Sequence, residues 1–132
     1  MYIYSLFKND PNLINLKIGK QLFHEGDPGD VMYVMISGKA AVLVGGQPVE
    51  EIVEGDIVGE MAIIDGSPRS ASVIAESDCV LAAVSKERME SLIVDSPPFA
   101  MDVMRVMARR LRQANQMIAR TTGQAAPVLK PT

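Results

Sequence analysis

Val31-Met32-Tyr33-Val34-Met35-Ile36-Ser37-Gly38-Lys39-Ala40-Ala41-Val42-Leu43-Val44-Gly45-Gly46 is the stretch that decides the fold. Two short apolar runs are parted by a Ser-Gly break. The second run ends on Gly45-Gly46, a two-residue hairpin in which both central positions accept φ > 0. The same rhythm continues outward. Upstream lie Gln21-Leu22-Phe23 and the turn Glu25-Gly26-Asp27-Pro28-Gly29-Asp30. Downstream come Val49 to Val53, the Glu54-Gly55-Asp56 turn, Ser70 to Ala75 and Cys79 to Val84. Short apolar runs at close spacing, separated by glycine turns, mark an antiparallel all-β roll or barrel. The expected fold is therefore mainly β with flanking α: a jelly-roll-like double-stranded β-roll, a short embedded helix and a long C-terminal helix.

Two breaks in the β rhythm place those helices. Gly59 to Ile64 suits a short helix between strands. From Ser85, a good N-cap, a helix runs to about Val94. Asp95-Ser96-Pro97-Pro98 stops it and restarts another, with Ser96 as N-cap and Pro97 in the first helical position; this last helix runs to about Arg120. The resulting division is a short N-terminal segment over 1–18, a roll over 19–84, C-terminal helices over 85–120 and a flexible tail over 121–132. Within the first segment, Tyr4 to Phe7 reads as a helical turn and Asn9-Asp10-Pro11-Asn12 as a turn cluster.

Two apolar stripes run along the last helix. Met101, Met104, Ala108, Leu111, Asn115 and Ile118 follow the alternating three-and-four spacing of a heptad seam. Ala100, Val103, Met107, Ala114 and Met117 form a second stripe, broken only by Arg110. One stripe packs on the roll and the other meets a partner helix in a homodimer through residues 97–120, Asn115 fixing the register. The alternative is that both stripes are internal core.

Composition narrows the function classes. With 48% hydrophobic and 22% charged residues over 132 positions, the chain is built to fold as one domain. It contains no run of about 18 apolar residues to span a membrane and no secretory leader, so a cytoplasmic location is expected. A single cysteine, Cys79, and a single histidine, His24, give no disulfide, no metal ligand set and no nucleophile–base pair. An enzyme is therefore not expected, nor a metal or cofactor. Cys79 reads as a buried inert thiol and His24 as a surface residue. The charge is uneven: residues 1–96 hold 7 basic and 15 acidic side chains, whereas 97–120 hold 5 Arg and 1 Asp. Arg105, Arg109 and Arg112 share one helical face, read as solvated or as a docking face for an acidic partner or nucleic acid.

Gly59-Glu60-Met61-Ala62-Ile63-Ile64-Asp65-Gly66-Ser67-Pro68-Arg69-Ser70-Ala71-Ser72 carries the chemistry. A helix starting near Gly59 presents bare N–H groups, a ready anion site, and glycine lets a ligand approach the backbone. The Asp65 to Pro68 turn returns the chain, so that Arg69 lies beside the same pocket, where a guanidinium chelates phosphate bidentately. Ser70 and Ala71 add a hydroxyl and backbone donors. Glu60, acceptor-only when ionised, suits a hydroxyl. The pocket asks for one compact ligand bearing an anion and a nearby hydroxyl, as a cyclic ribose phosphate does. The plainer reading is an Arg–Glu salt bridge and an ordinary turn.

That stretch resembles the phosphate-binding cassette of the cyclic-nucleotide-binding domain family, whose members include bacterial catabolite activator protein and the regulatory subunits of cAMP-dependent protein kinase. Gly19 to Asp27 and Asp30 to Gly38 resemble the family's first β-roll turns and strands. The resemblance implies a non-catalytic cyclic-nucleotide sensor, for cAMP first, acting on a separate partner. Glu60 would accept from the ribose 2′-hydroxyl; Arg69, Ser70 and the Ala71 backbone would hold the cyclic phosphate, with Gly59, Met61 and Ala62 beside them. Where catabolite activator protein sets a Thr-Ser pair against the base, this chain has Ala114 and Asn115; Asn115 is the base-contacting candidate. No helix-turn-helix follows the long helix, so no DNA-binding domain is expected in this chain. The alternative is a β-roll interaction module with a vestigial pocket, or one for another small anion.

Overall fold

The computed structural model describes residues 2–122. Two four-stranded antiparallel sheets face each other. The first has the order β1-β8-β3-β6, from Leu13–Leu16, Cys79–Ser85, Val31–Ser37 and Ile57–Val58. The second has the order β2-β7-β4-β5, from Gln21–Phe23, Ser72–Ala75, Ala40–Val44 and Gln47–Ile52. Four helices complete the molecule: α1 (Tyr2–Phe7), α2 (Glu60–Asp65), α3 (Lys86–Asp95) and α4 (Pro97–Thr122). The β4–β5 hairpin turns on Gly45 and Gly46 at φ 57° and 78°, with Val44 opposite Gln47. Both values lie in the left-handed region, as a type I′ turn demands.

The unbroken apolar run of β3 has a simple cause: its sheet is covered on both faces. Met35 and Leu81 point into the space between the sheets, where they meet Val42, Ile52, Val73 and Cys79. Met32, Val34, Ala82 and Val84 point the other way, against Phe7, Met89, Phe99, Val103 and Val106 of the helices. Each large side chain removed from water in this way contributes about 1.5–3 kcal/mol. Cys79 is buried, and its Sγ lies 3.2 Å from the Lys39 carbonyl oxygen.

Two boundaries differ from expectation. The roll begins at residue 13 and not at 19, because β1 pairs with β8 from Leu13↔Ala82 to Leu16↔Cys79. Leu13 packs on the helical core and Ile14 and Leu16 on the core between the sheets, so these apolar contacts hold the edge strand. α4 runs on through Thr121 and Thr122, with Thr121 Oγ1 donating to the Met117 carbonyl at 2.8 Å. The remainder of the expected tail, 123–132, lies outside the described residues. Ser85 does cap α3, accepting from the Arg88 N–H at 3.2 Å.

Candidate ligand-binding site

A cavity of about 580 Å³ opens between the second sheet, α2 and α4. Gly59, Glu60, Met61, Ala62, Arg69, Ser70 and Ala71 all line it. Short-range structure explains how they meet. α2 is one and a half turns long and is bounded by two left-handed glycines, Gly59 at φ 83° and Gly66 at φ 73°. No side chain caps its N-terminus. The loop after Gly66 then brings Arg69 back beneath α2, where the Arg69 N–H donates to the Asp27 carbonyl at 2.7 Å and its carbonyl accepts from Gly26 at 2.9 Å.

Arg69 is 6% exposed and aimed inward. Its Nη1 donates to the Gly59 carbonyl at 3.0 Å, and its guanidinium carbon stands 4.2 Å from the centre of the Phe23 ring. Its Nε is buried and has no acceptor among the described residues. Burial pulls its pKa below the usual arginine value, against the pull of Tyr33, Asp30, Asp27 and Glu60 in the other direction. A guanidinium remains protonated under any ordinary condition. The consequence is a desolvated cation with no carboxylate bonded to it, at the wall of a cavity. Such a group calls for an anion.

Arg69 also explains two glycines. A Cβ on Gly29 would stand 2.3 Å from Arg69 Nε, and one on Gly59 would stand 2.4 Å from Nη1. The guanidinium occupies the space that side chains at those positions would fill.

The opposite polar wall belongs to Glu60, 2% exposed. Its Oε1 accepts from Arg110 Nη1 at 2.6 Å. Arg110 comes from α4 and was legible only as an interruption in an apolar stripe. It has every nitrogen engaged: Nε donates to Glu50 Oε1 at 3.0 Å and Oε2 at 3.2 Å, and Nη2 donates to the Ile57 carbonyl. Burial on its own pushes the Arg110 pKa down, but the combined charges and hydrogen bonds of Glu60 and Glu50 outweigh it and raise the value. Arg109, one residue back, adds Asp56 at 3.2 Å and Glu50 at 3.8 Å. The expected solvated arginine face is thus partly an ion-pair network, since carboxylates of the roll's acidic body lie within its reach.

Asn115 does not line the cavity; it is exposed. α4 supplies Met107, Ala108, Arg110, Leu111, Gln113, Ala114 and Met117 to the wall. Asn115 shares the side of α4 that carries Ala108 and Leu111, but it lies one heptad on from Ala108, beyond the edge of the cavity. Base contact from Asn115 of the same chain is therefore withdrawn. Among the described residues no cluster of His, Cys, Asp or Glu could hold a metal ion, and no helix is long and apolar enough to cross a membrane.

Comparison with known proteins agrees with this geometry. Residues 13–96 match the family model of the cyclic nucleotide-binding domain. The CRP-like cAMP-activated global transcriptional regulator of Mycobacterium tuberculosis is 33% identical over 106 residues, 76% of this chain and 47% of that protein. The cGMP-dependent protein kinase of Toxoplasma gondii is 38% identical over 79 residues, 60% of this chain and 8% of the kinase. The crystal structure of Thermus thermophilus catabolite activator protein superposes with a TM-score of 0.76 at 31% identity, over 92% of this chain and 57% of that one. The chain thus spans less than half the length of these curated relatives. A roll of eight antiparallel strands, a cavity with an inward guanidinium whose Nε is unsatisfied and a matched segment that spans the roll and Arg69 lead to one conclusion: the chain belongs to the cyclic nucleotide-binding domain family.

Proposed function

We propose that this domain binds cAMP without chemistry and passes the bound state to a partner polypeptide through α4. The observation that carries the reading is Arg69, a buried cation with an unsatisfied Nε at the cavity wall. The cyclic phosphate sits against Arg69, beside Ser70 and the Ala71 backbone. The ribose hydroxyl donates to Glu60, whose Oε1 is taken by Arg110 and whose Oε2 is left for the ligand. Bound ligand shifts α4 only by as much as it favours one helix position over another.

The base preference follows from the α4 wall. Gln113, whose amide donates and accepts, is the one free polar side chain that α4 brings to the cavity among the described residues: Met107, Ala108, Leu111, Ala114 and Met117 offer no hydrogen-bond partner, and Arg110 is already engaged. One amide cannot pair every polar atom of a base. Guanine brings N1–H, N2 and O6 to that wall, and adenine a single amino group with ring nitrogens. Buried polar atoms left unpaired cost about 1–3 kcal/mol each, so the less polar base is favoured. The exposed seam of Met101, Met104, Leu111 and Ile118 supports a homodimer through α4.

Calorimetric titration with cAMP, cGMP and cyclic dinucleotides tests the reading. Removing one partner of a buried charge-assisted pair costs roughly 2–5 kcal/mol, so Arg69→Ala is expected to weaken cAMP binding by about 30-fold to several thousand-fold. Equal affinities for wild type and variant would overturn the site.

A further inference from the structure

Glu50 is a second, half-buried carboxylate at the cavity that the family pattern of residues 59–72 does not include. It sits on β5, 14% exposed at its side chain, and holds Arg110 Nε with both oxygens. Arg109 backs it at 3.8 Å, and Arg109 is itself held by Asp56. Three elements thus converge on one guanidinium: β5 through Glu50, β6 through the Ile57 carbonyl and α2 through Glu60. With Nε and Nη2 fixed by the roll, Nη1 has one direction left, and it points to Glu60 Oε1.

We infer that Glu50 is a positioning residue for sugar recognition: by locking Arg110 it fixes which oxygen of Glu60 is taken and which one a ribose 2′-hydroxyl meets. The inference rests on the cyclic-nucleotide reading above and deepens it. A long arginine side chain has many rotamers open to it, and Glu50 is what removes that freedom before a ligand arrives. Without it Arg110 turns about its own chain, claims either oxygen of Glu60 and competes with the hydroxyl. The charge of Glu50 acts in a second and separate way. Two carboxylates and one guanidinium leave this part of the wall net negative, which opposes an anionic ligand whatever its sugar. Loss of Glu50 therefore relieves a repulsion felt equally by every cyclic nucleotide, and removes a selectivity felt only by those with a 2′-hydroxyl.

The two effects separate when cAMP is compared with 2′-deoxy-cAMP, which carries the same phosphate and base. A hydrogen bond to a charged acceptor is worth a preference on the order of 10-fold or more for cAMP in the wild type. The ratio of the two dissociation constants is expected to fall towards one in Glu50→Ala, and part of the way in Glu50→Gln, which keeps one acceptor for Arg110 and protects the fold. Glu51→Ala removes an equal charge from the neighbouring, exposed position, where only Lys39 is paired at 3.9 Å; its ratio is expected to equal that of wild type. A ratio unchanged in both Glu50 variants, with both ligands bound, overturns this inference alone. Wild type that binds neither nucleotide overturns the cyclic-nucleotide reading, and this inference with it.

Discussion

Arg69, buried, and Arg110, half-buried, set two guanidiniums at one cavity, yet their neighbours give them different tasks. Arg110 is surrounded by carboxylates and needs nothing more. Arg69 has a carbonyl, an aromatic face and an unused Nε. Only the second is available to an anion. The space for its side chain is kept by glycine, and Gly29 and Gly59 keep it in different ways. Gly59 is left-handed at φ 83°, so any side chain there strains the backbone as well as striking Arg69. Gly29 carries no such backbone constraint, and its missing Cβ is simply where Arg69 Nε and Cζ lie. Gly29→Ala is accordingly expected to push the guanidinium aside with a stability loss below about 1 kcal/mol and to weaken cAMP binding on the order of 10-fold. Gly59→Ala is expected to cost stability of about 1–3 kcal/mol as well. Urea unfolding paired with calorimetry distinguishes the two, and a Gly29→Ala protein with wild-type affinity would show that Arg69 has room to spare.

At the scale of elements, the helices are held to the roll by apolar faces and by a few buried acids. Asp10, in the turn after α1, accepts from Arg88 of α3 at 2.6 Å. That hydrogen bond is the largest influence on its carboxyl and, with the Asn12 N–H, lowers the pKa below 3.8 against the opposing effect of burial. The sign follows: the contribution is full above the unfolded value of 3.8 and is lost as pH falls through the lower folded value. Because Arg88 is 40% exposed, water screens the pair and its worth is about 0.5–1 kcal/mol. Urea unfolding of wild type and Asp10→Asn is expected to differ by that amount at neutral pH and to converge as the pH falls through the lowered folded value. A difference that persists in acid would assign it to packing. Elements of this kind were legible to different degrees. The β4–β5 hairpin announces itself through the glycines of its turn and α2 through those at its ends, which are local signals. β1 has only Leu13, Ile14 and Leu16, and its partner β8 lies more than sixty residues away, so nothing local marks it. Among the site residues, the cassette of 59–71 was readable because its members are close in sequence. Arg110 is fifty residues from Glu60, and its one signal was a charge inside an apolar stripe, which physics permits only with a buried partner. Asn115 shares a helical side with the lining residues Ala108 and Leu111 and falls outside the cavity by its place along the axis, which spacing alone does not reveal.

At the scale of the molecule, α4 changes character along its length. Phe99, Val103 and Val106 are fully packed on the roll, and from Leu111 to Ile118 every residue is exposed. The helix of 26 residues is roughly 39 Å long, longer than the roll needs for its own cover. The heptad row lies on its outer side: Met104 is 54% exposed, Leu111 64% and Ile118 62%, all in line with Met101. The second apolar stripe, Val103 and Met107, is the one turned towards the roll. A second copy of the same row would cover these side chains by isologous contact, since a twofold axis along α4 sets each a/d position against its counterpart. The cavity wall then gains a fixed outer boundary, because Leu111 belongs both to that wall and to the seam. Sedimentation equilibrium at tens of micromolar is expected to give a dimer for the wild type and a monomer for Leu111→Glu, which sets two carboxylates face to face on the axis. Both Leu111→Glu and Met104→Glu are expected to be monomers and to lose cAMP affinity by a few-fold with that boundary, Leu111→Glu by the larger factor because its side chain also lines the cavity whereas that of Met104 does not. A wild-type monomer at that concentration would remove the partner helix from the mechanism and leave α4 to signal through some other surface.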